Sequence, residues 1–249
     1  MDYRFDTYCL LYPQNFLYKQ LQFLAMTVQQ YLDKKRNMRP DNRKYCYVCD
    51  RAFSVCLCEL IEPFDTNTRF VVLMHPKEAR KQRCGTGRLS HLALRNSRLH
   101  VGIDFTNDEV VNSLINDKEY TSVLLFPSPQ AVNVSKVGYR ALLGQQGKLQ
   151  IFVVDGTWSL ASKILKMSGN LRKLPAVTFT SRQPSNFKFK KQPQEEFLST
   201  IESIHFLLKL GQEQGIENSE CNIKQLPEIF DRLVQIQLEA ENSSDERTC

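Results

Sequence analysis

The alternation of two kinds of apolar segment between residues 69 and 240 most strongly constrains the fold of this chain. Short runs rich in β-branched residues predict strands at 69–74, 99–105, 122–126, 149–155 and 176–180. Apolar residues at helical spacing predict helices at 86–97, 159–167, 195–211 and 222–240, the third ending at Gly211 and the last bent or restarted at Pro227. Strands separated by helices are typical of an α/β protein with a mainly parallel sheet.

Three of the predicted strands are followed by loops of unusual composition. The loops read HPKEAR after Met74, PSPQA after Phe126 and DGTW after Val154. In open parallel sheets, the loops at the carboxyl ends of the strands form the crevice that binds ligands. These three loops are therefore the candidates for a binding crevice.

The rest of the chain suggests small appendages to one large domain, which 249 residues can form. Apolar residues at helical spacing predict a helix at 14–36, and Pro40 marks a boundary after it. The predicted organisation is an N-terminal helical extension, a cysteine-rich segment, an α/β domain, and a C-terminal helix with an acidic tail. Their boundaries are 1–40, 41–65, 66–215 and 216–249.

The sequence also bears on location. No apolar run approaches the roughly 20 residues that span a bilayer. The first residues, MDYRFD, include acids and lack the basic region that precedes the apolar core of a secretory signal. We therefore expect a cytoplasmic protein without a membrane partner.

Four of the eight cysteines lie within one short segment. Cys46 and Cys49 form a C-x-x-C pair, and Cys56 and Cys58 form a C-x-C pair after six intervening residues. Close pairs of thiolates suit a tetrahedral metal, and four protein ligands leave no open position for catalysis. The spacing therefore predicts a structural metal, zinc or an iron–sulfur centre, rather than four unrelated cysteines.

The positive charge is unevenly distributed. The chain carries a net charge of +6, although residues 217–249 hold eight acids and only three bases. No acid occurs between Gly156 and Gln194, and the stretch 77–98 holds seven bases and one acid. Two basic, acid-poor stretches favour a polyanionic partner over merely solvated surfaces. The candidate RNA-binding residues are Arg88, Arg95, Lys163, Lys166, Lys188, Lys190 and Lys191.

The strand at 149–155 ends on Asp155-Gly156-Thr157-Trp158, which contains the only tryptophan of the chain. An aspartate in this position can simply cap the following helix. Capping does not require the glycine, which lets a backbone approach a ligand closely, or the tryptophan, which offers a flat face for stacking. We favour a functional role for this loop.

Two further motifs carry weaker signals. His75 closes a strand, where a histidine is more often hydrogen-bonded locally than catalytic, and no partner at metal spacing is visible, so we assign it no metal role. Gly85-Thr86-Gly87 opens the helix predicted at 86–97. A helix N-terminus flanked by glycines can hold an anion, but two glycines alone do not establish such a site.

Five segments, in order, resemble the DTW-domain proteins, the tRNA-uridine aminocarboxypropyltransferases. They read CYVCDRAFSVCLC, LMHPKEARKQRCGTGRL, VLLFPSPQA, FVVDGTWSLASKIL and FLSTIES, and D-x-T-W is the motif that names the family. The resemblance covers the chain from Cys46 to about Leu210. The chain departs from the usual family pattern at Gly85, where an Asn is common, and at 187–190, where FKFK replaces a Tyr-x-x-Arg-like stretch.

The resemblance implies a fold similar to the SPOUT methyltransferases, with a knotted C-terminal part. It implies S-adenosylmethionine as donor, a tRNA uridine modified at N3 as acceptor, and Asp155 as general base or as the residue that orients the uracil imide. Partial burial beside Trp158 would raise the pKa of that aspartate and make it a better base. The residues expected to line the donor pocket are Leu125, Phe126, Pro127, Ser128, Asp155, Gly156, Thr157, Trp158, Ser199, Thr200 and Glu202.

Three functions compete at this stage. The first is transfer of the aminocarboxypropyl group from S-adenosylmethionine to tRNA. The second is methylation of RNA by a related SPOUT enzyme, and the third is RNA binding by a zinc-containing protein without catalysis. The sequence leaves open which uridine is modified and the oligomeric state.

Overall fold

The structure is a computed structural model that describes residues 45–80, 85–143, 147–181, 185–186 and 198–245. Contacts divide the chain into two compact units, Met1–Ser54 and Val55–Cys249. The described part of the first unit is a short turn closed by a bridge between Tyr45 and Ala52. The helix predicted at 14–36 lies outside the described residues, and the predicted domain boundaries stay predictions.

A single parallel sheet organises the second unit. Its strands, in chain order, are β1 Arg69–Met74, β2 Ser97–Val101, β3 Thr121–Leu125, β4 Val132–Asn133, β5 Leu149–Asp155 and β6 Ala176–Thr178. They are arranged in the order β2-β1-β5-β3-β6-β4, and all five neighbouring pairs are parallel. The prediction of an α/β protein with a mainly parallel sheet is therefore confirmed, whereas the C-terminal knot stays a prediction.

Seven α-helices connect or follow these strands in the described part of the chain. They are α1 Pro76–Arg80, α2 Thr86–Ala93, α3 Glu109–Ile115, α4 Val134–Val137, α5 Trp158–Met167, α6 Thr200–Glu213 and α7 Gln225–Asp245. The predictions for α5, α6 and α7 are confirmed in type, although α6 begins at Thr200 rather than at residue 195 and α7 spans Gln225–Asp245 rather than 222–240. The short helices α3 and α4 were not predicted from apolar spacing. Each nevertheless begins after a capping residue, because the side chains of Asp108 and Asn133 accept backbone hydrogen bonds at their starts.

Two predicted helix features are wrong in detail. Helix α6 does not end at Gly211 but continues to Glu213. Gly211 instead allows close packing, because a Cβ there would lie 2.7 Å from Cγ of Glu217. Helix α7 is not restarted at Pro227, since it begins at Gln225 and thus holds the proline in its first turn, where no intrahelical N–H is needed.

The core explains why the central strands read as continuous apolar runs. Val71 and Leu73 of β1 and Phe152 of β5 are fully buried and pack with Phe105 and with Ile164 of α5. A parallel strand is covered by helices on both faces, so its residues need not alternate. The register pairs Met74 with Asp155, which places the aspartate at the carboxyl edge of the central strand.

Candidate active site

The three loops of unusual composition meet at one edge of the sheet. Strands β1 and β3 flank β5, and their last residues, Met74 and Leu125, pair with Asp155 and Val153. Parallel strands point their carboxyl ends to the same edge, so the loops after β1, β3 and β5 lie side by side. The three loops that were predicted to form a binding crevice are therefore neighbours at this edge of the sheet.

The carboxylate of Asp155 is held from two sides. The side-chain hydroxyl of Thr200, the first residue of α6, donates a 2.6 Å hydrogen bond to its Oδ1. On the other side lies Gly87 of α2, where a Cβ would come within 2.7 Å of Oδ2. Asp155 is 7 % exposed, so these contacts fix a nearly buried acid at the edge of the sheet.

The capping explanation for Asp155 is wrong. Helix α5 begins at Trp158, and the residue at its N-cap position is Thr157 rather than Asp155. Thr157 makes no side-chain cap hydrogen bond, and its Oγ1 lies 3.1 Å from Oγ of Ser159. The aspartate therefore stands two residues before the cap position, and its side chain accepts the hydrogen bond from Thr200.

Aromatic packing joins the loops after β3 and β5. The rings of Phe126 and Trp158 lie with centroids 5.9 Å apart and an interplanar angle of 54°. This tilted arrangement is a favourable geometry for an aromatic pair. It brings Phe126 after β3 beside Trp158 after β5, while the donor pocket formed by Leu125, Phe126, Pro127, Ser128, Gly156, Thr157 and Trp158 stays a prediction.

The start of α6 contributes three of the predicted donor-binding residues. Thr200 contacts Asp155, whereas Ser199 and Glu202 form a capping box in which each side chain bonds the other's backbone N–H. The Glu202 carboxylate also accepts hydrogen bonds from the Ser185 hydroxyl (2.7 Å) and the Asn186 N–H (2.9 Å). These contacts give Ser199 and Glu202 a local structural role, and their contact with the donor stays a prediction.

A histidine and a glutamate that sequence reasoning left without a role also lie at this edge. The backbone N–H of His75 donates to the carbonyl oxygen of Asp155 at 3.1 Å. His75 and Glu78 are 2 % and 8 % exposed, so both polar side chains are buried. Burial and the positive charges of Lys163 and Lys77 lower the pKa of His75. The one sequence feature that could have indicated a role for these two residues is that HPKE directly follows a predicted strand.

The candidate RNA-binding residues that the structure describes do not all lie at the same edge of the sheet. Arg88 lies in the first turn of α2, one residue after Gly87, while Lys163 and Lys166 are exposed on α5. Arg95 precedes β2 and forms an exposed 2.9 Å ion pair with Asp65. It therefore lies at the amino-terminal edge of the sheet, opposite Asp155. Lys188, Lys190 and Lys191 lie outside the described residues.

The four clustered cysteines form a compact set of thiols. The Sγ atoms of Cys46, Cys49, Cys56 and Cys58 all lie within 4.8 Å of one another. Tetrahedral coordination at a Zn–S distance of about 2.3 Å separates sulfurs by roughly 3.8 Å, which this cluster accommodates. The donor set thus fits a structural metal, as the spacing predicted, and these residues would be its ligands.

The length and the apolar character of the described helices were also compared with those of membrane-spanning helices. None of the described helices is both long enough and apolar enough to cross a membrane.

A nearly buried acid between loops at the carboxyl edge of a parallel sheet defines an α/β protein with its ligand site at the strand ends. Family comparison is more specific, since the family model described as DTW domain matches residues 43–238. The chain therefore belongs to the DTW domain family.

The chain is also similar to curated proteins that carry one name. The chain is 30 % identical over 170 residues to tRNA-uridine aminocarboxypropyltransferase 2 of Drosophila melanogaster, covering 66 % of this chain and 65 % of the relative. It is 24 % identical over 202 residues to the Mus musculus protein of the same name, covering 80 % and 65 % of the two chains. The matched region thus spans just under two-thirds of the length of these relatives. No solved structure gives a significant match.

Proposed function

We propose that this protein transfers the 3-amino-3-carboxypropyl group of S-adenosylmethionine to N3 of a uridine in tRNA. The observation that carries the proposal is the position of Asp155, fixed by Thr200 and Gly87 at the carboxyl edge of the central strand. The names of the curated relatives supply the reaction and the acceptor. Asp155 supplies a carboxylate at this edge that is suited to remove a proton.

The chemistry requires a base and a correctly presented carbon. The sulfonium donor supplies an activated γ-carbon, which forms a bond to uridine N3 while the C–S bond breaks and its electron pair stays on sulfur, releasing methylthioadenosine. The N3 proton passes to the carboxylate of Asp155. The Thr200 hydroxyl donates to Oδ1, which is one of the two carboxylate oxygens, and so holds the base in a fixed orientation.

The neighbouring loops would hold the donor. The backbone of Gly156 and the rings of Phe126 and Trp158 form the part of the crevice next to Asp155. An aromatic wall suits the flat adenine ring, and the fixed loops would present one carbon in line with the attacking nitrogen. The pocket, rather than the donor, therefore selects aminocarboxypropyl transfer over methyl transfer.

The remaining parts of the proposal concern the partner, the metal and the compartment. Arg88, Lys163 and Lys166 would contact tRNA phosphates, since they lie on the two helices that begin beside Asp155. The four clustered thiols would hold one structural zinc ion. Thiols of this kind persist in the reducing cytosol, where we place the protein.

The test is a reaction of purified protein with tRNA and S-adenosylmethionine, analysed by mass spectrometry of the nucleosides with methylthioadenosine followed in parallel. We expect a uridine carrying the aminocarboxypropyl group and one methylthioadenosine for each modified nucleoside. Methylated nucleoside with S-adenosylhomocysteine would instead establish a methyltransferase. Tight tRNA binding without either product would establish an RNA-binding protein.

The matched control is Asp155→Asn. Asparagine keeps an oxygen that can accept the hydrogen bond from Thr200, but it cannot take the proton. Turnover should fall by roughly 10²–10⁴ while donor binding is retained. Near-normal turnover in this variant would remove the assignment of Asp155 as base.

A further inference from the structure

Two buried polar atoms of the segment that follows β1 have no hydrogen-bond partner in the part of the chain that the structure describes. They are Nε2 of His75 and Oε1 of Glu78. Leaving a buried polar group unpaired is unfavourable, and more so when the group is charged. Two such atoms from one short segment, which follows the strand paired with the end of β5, therefore point to a ligand-binding position.

The hydrogen bond on the other ring nitrogen determines what His75 can offer. The backbone N–H of Lys77 donates to Nδ1 of His75 at 3.1 Å, so Nδ1 is an acceptor and carries no proton. Burial and two nearby lysines lower the pKa of His75, which favours the neutral ring. The single ring proton consequently sits on Nε2. His75 presents a hydrogen-bond donor, and Glu78 presents an acceptor with negative charge.

The position of this pair ties it to the crevice. His75 directly follows β1, and its N–H bonds the carbonyl oxygen of Asp155. A Cβ on Gly156 would lie 3.7 Å from Cβ of His75, so the two loops are packed together. Glu78 lies on the short helix α1 that follows, and its N–H donates to the His75 carbonyl oxygen at 2.9 Å. The histidine and the glutamate are thus fixed to each other and to the DGTW loop.

The chemistry of the pair restricts the ligand. An inorganic anion or phosphate would accept from Nε2 but would be repelled by Glu78, and a simple cation would offer nothing to Nε2. A group with an acceptor and a positively charged donor on adjacent atoms satisfies both. An α-amino acid has this arrangement, because its carboxylate and its ammonium are bonded to one carbon.

We propose that His75 and Glu78 bind the α-amino acid end of the sulfonium donor, Nε2–H donating to the carboxylate and the Glu78 carboxylate accepting from the ammonium. This inference rests on the proposed function and deepens it, since it assigns the recognition of the transferred group to the HPKE segment. The nearby positive charges of Lys77 and Lys163 would add attraction for the ligand's carboxylate. His75 and Glu78 would thereby fix the γ-carbon relative to Asp155.

Equilibrium binding without RNA tests this assignment with two related ligands. S-Adenosylmethionine carries the amino acid end, and methylthioadenosine lacks it. The variants are Glu78→Gln, which keeps the side-chain shape, and His75→Phe, which keeps a ring. We expect each to bind S-adenosylmethionine about 10- to 100-fold more weakly, as for loss of a hydrogen bond to a charged group, and methylthioadenosine with unchanged affinity.

The chain offers a matched control in His100 of β2. Its Nε2 is likewise buried and unpartnered among the described residues, but it lies near Asp108 rather than Asp155. His100→Phe should leave the affinity for both ligands unchanged. Thermal melting of all three variants establishes that they are folded, and the isosteric Glu78→Gln supports the test if His75→Phe does not fold.

Three results would overturn the proposal. Unchanged affinity of Glu78→Gln for S-adenosylmethionine would show that the carboxylate does not contact the ligand. An equal loss for both ligands would show an effect on the adenosyl pocket or on folding. Failure of the wild-type protein to bind S-adenosylmethionine at all would remove the proposed function itself, an outcome distinct from the first two.

Discussion

The Thr200 hydroxyl is 2.6 Å from Oδ1 of Asp155, although the two residues are 45 positions apart in the sequence. The contact joins the end of the central strand to the first residue of α6. It fixes one oxygen of the carboxylate and so orients the remaining lone pairs. Thr200 therefore acts on the proposed reaction as a positioning residue for Asp155.

Removal of this hydroxyl should slow the reaction. Thr200→Val keeps the branched shape and removes the donor, so we expect kcat to fall about tenfold or more because the base loses its orientation. Thr200→Ser restores the hydroxyl and should recover most of the rate. Steady-state kinetics of both variants check this prediction. Full activity in Thr200→Val together with a loss in Thr200→Ser would show that Thr200 acts only through packing.

Two glycines at the start of α2, Gly85 at its N-cap position and Gly87 in its first turn, provide a paired test of the space around Asp155. A Cβ at Gly87 would lie 2.6 Å from Cγ of Asp155, which real structures do not tolerate, whereas a Cβ at Gly85 would lie 3.8 Å from its nearest neighbour. Gly87→Ala should thus displace the carboxylate and reduce turnover by at least tenfold. Gly85→Ala should retain activity. The measurement is the turnover of both variants under the same conditions. Full activity of Gly87→Ala would contradict the close approach of Gly87 to the Asp155 carboxylate.

Sequence reasoning located most of the fold because the central strands are strongly patterned. The limits of β5, 149–155, agree with the structure because both of its faces are covered, and α5 needed only one added residue at its start. Helix α2, by contrast, ends at Ala93 rather than at residue 97, since Leu94 is extended and β2 begins at Ser97. The short α3, α4 and β4 carry too few residues for a periodic signal.

The candidate site was only partly predictable. Asp155 and the two loops that pack through Phe126 and Trp158 stood out by composition. No local pattern shows that Gly87 faces a carboxylate 68 positions later or that Nε2 of His75 is left unpaired. Such facts depend on which strands are neighbours, and the order of strands in a sheet is a property of tertiary structure.

The cysteine cluster predicts one bound metal ion per chain. Elemental analysis should find one zinc in the purified protein and in Cys221→Ser, whose thiol bonds the Asp65 carbonyl oxygen away from the cluster. Cys49→Ser removes a buried ligand, so it should lose the metal and melt at a lower temperature. Stoichiometric iron would change the identity of the metal, and the absence of both metals would refute the site.

The separation of basic residues predicts unequal contributions to tRNA binding. Lys163 lies on the helix that begins beside Asp155, whereas Arg95 lies at the opposite edge and is paired with Asp65. Lys163→Ala should weaken binding and reduce the slope of log K against log salt by roughly 0.7–0.9, the value for one phosphate contact. Arg95→Ala should change the slope little. Filter binding at several salt concentrations measures both, and a larger effect at Arg95 would place the RNA elsewhere.

Acid should destabilise the protein through His91. Its Nδ1 lies 2.7 Å from Oγ of Ser97, and burial, assisted by the positive charges of Arg98, Arg88 and His100, lowers its pKa to about 4 from the usual 6.5. The folded state therefore binds fewer protons than the unfolded state between pH 4 and 6.5, and this contribution to stability is lost as the pH falls through that window.

The size of the effect makes this prediction measurable. One displaced proton is worth about 1.4 kcal/mol per pH unit, so the His91 contribution amounts to about 3 kcal/mol. His91→Gln should flatten the fall in unfolding free energy between pH 6.5 and 4, as measured by urea denaturation. The other histidines have pKa values lowered in the same direction, so some dependence remains. The same pH dependence of the unfolding free energy in His91→Gln and in the unmodified protein would show that folding does not lower the pKa of His91.

The place of β5 between β1 and β3 has a consequence for how the chain acquires its shape during synthesis. Both flanking strands leave the ribosome before the strand that separates them, and they do not pair with each other. A nascent chain that ends before residue 149 therefore exposes unpaired apolar edges, which are prone to aggregation. Pairing of distant segments is also intrinsically slow. We expect refolding chains to gain sheet structure and catalytic competence in one late step, because the strand that closes the core also carries Asp155.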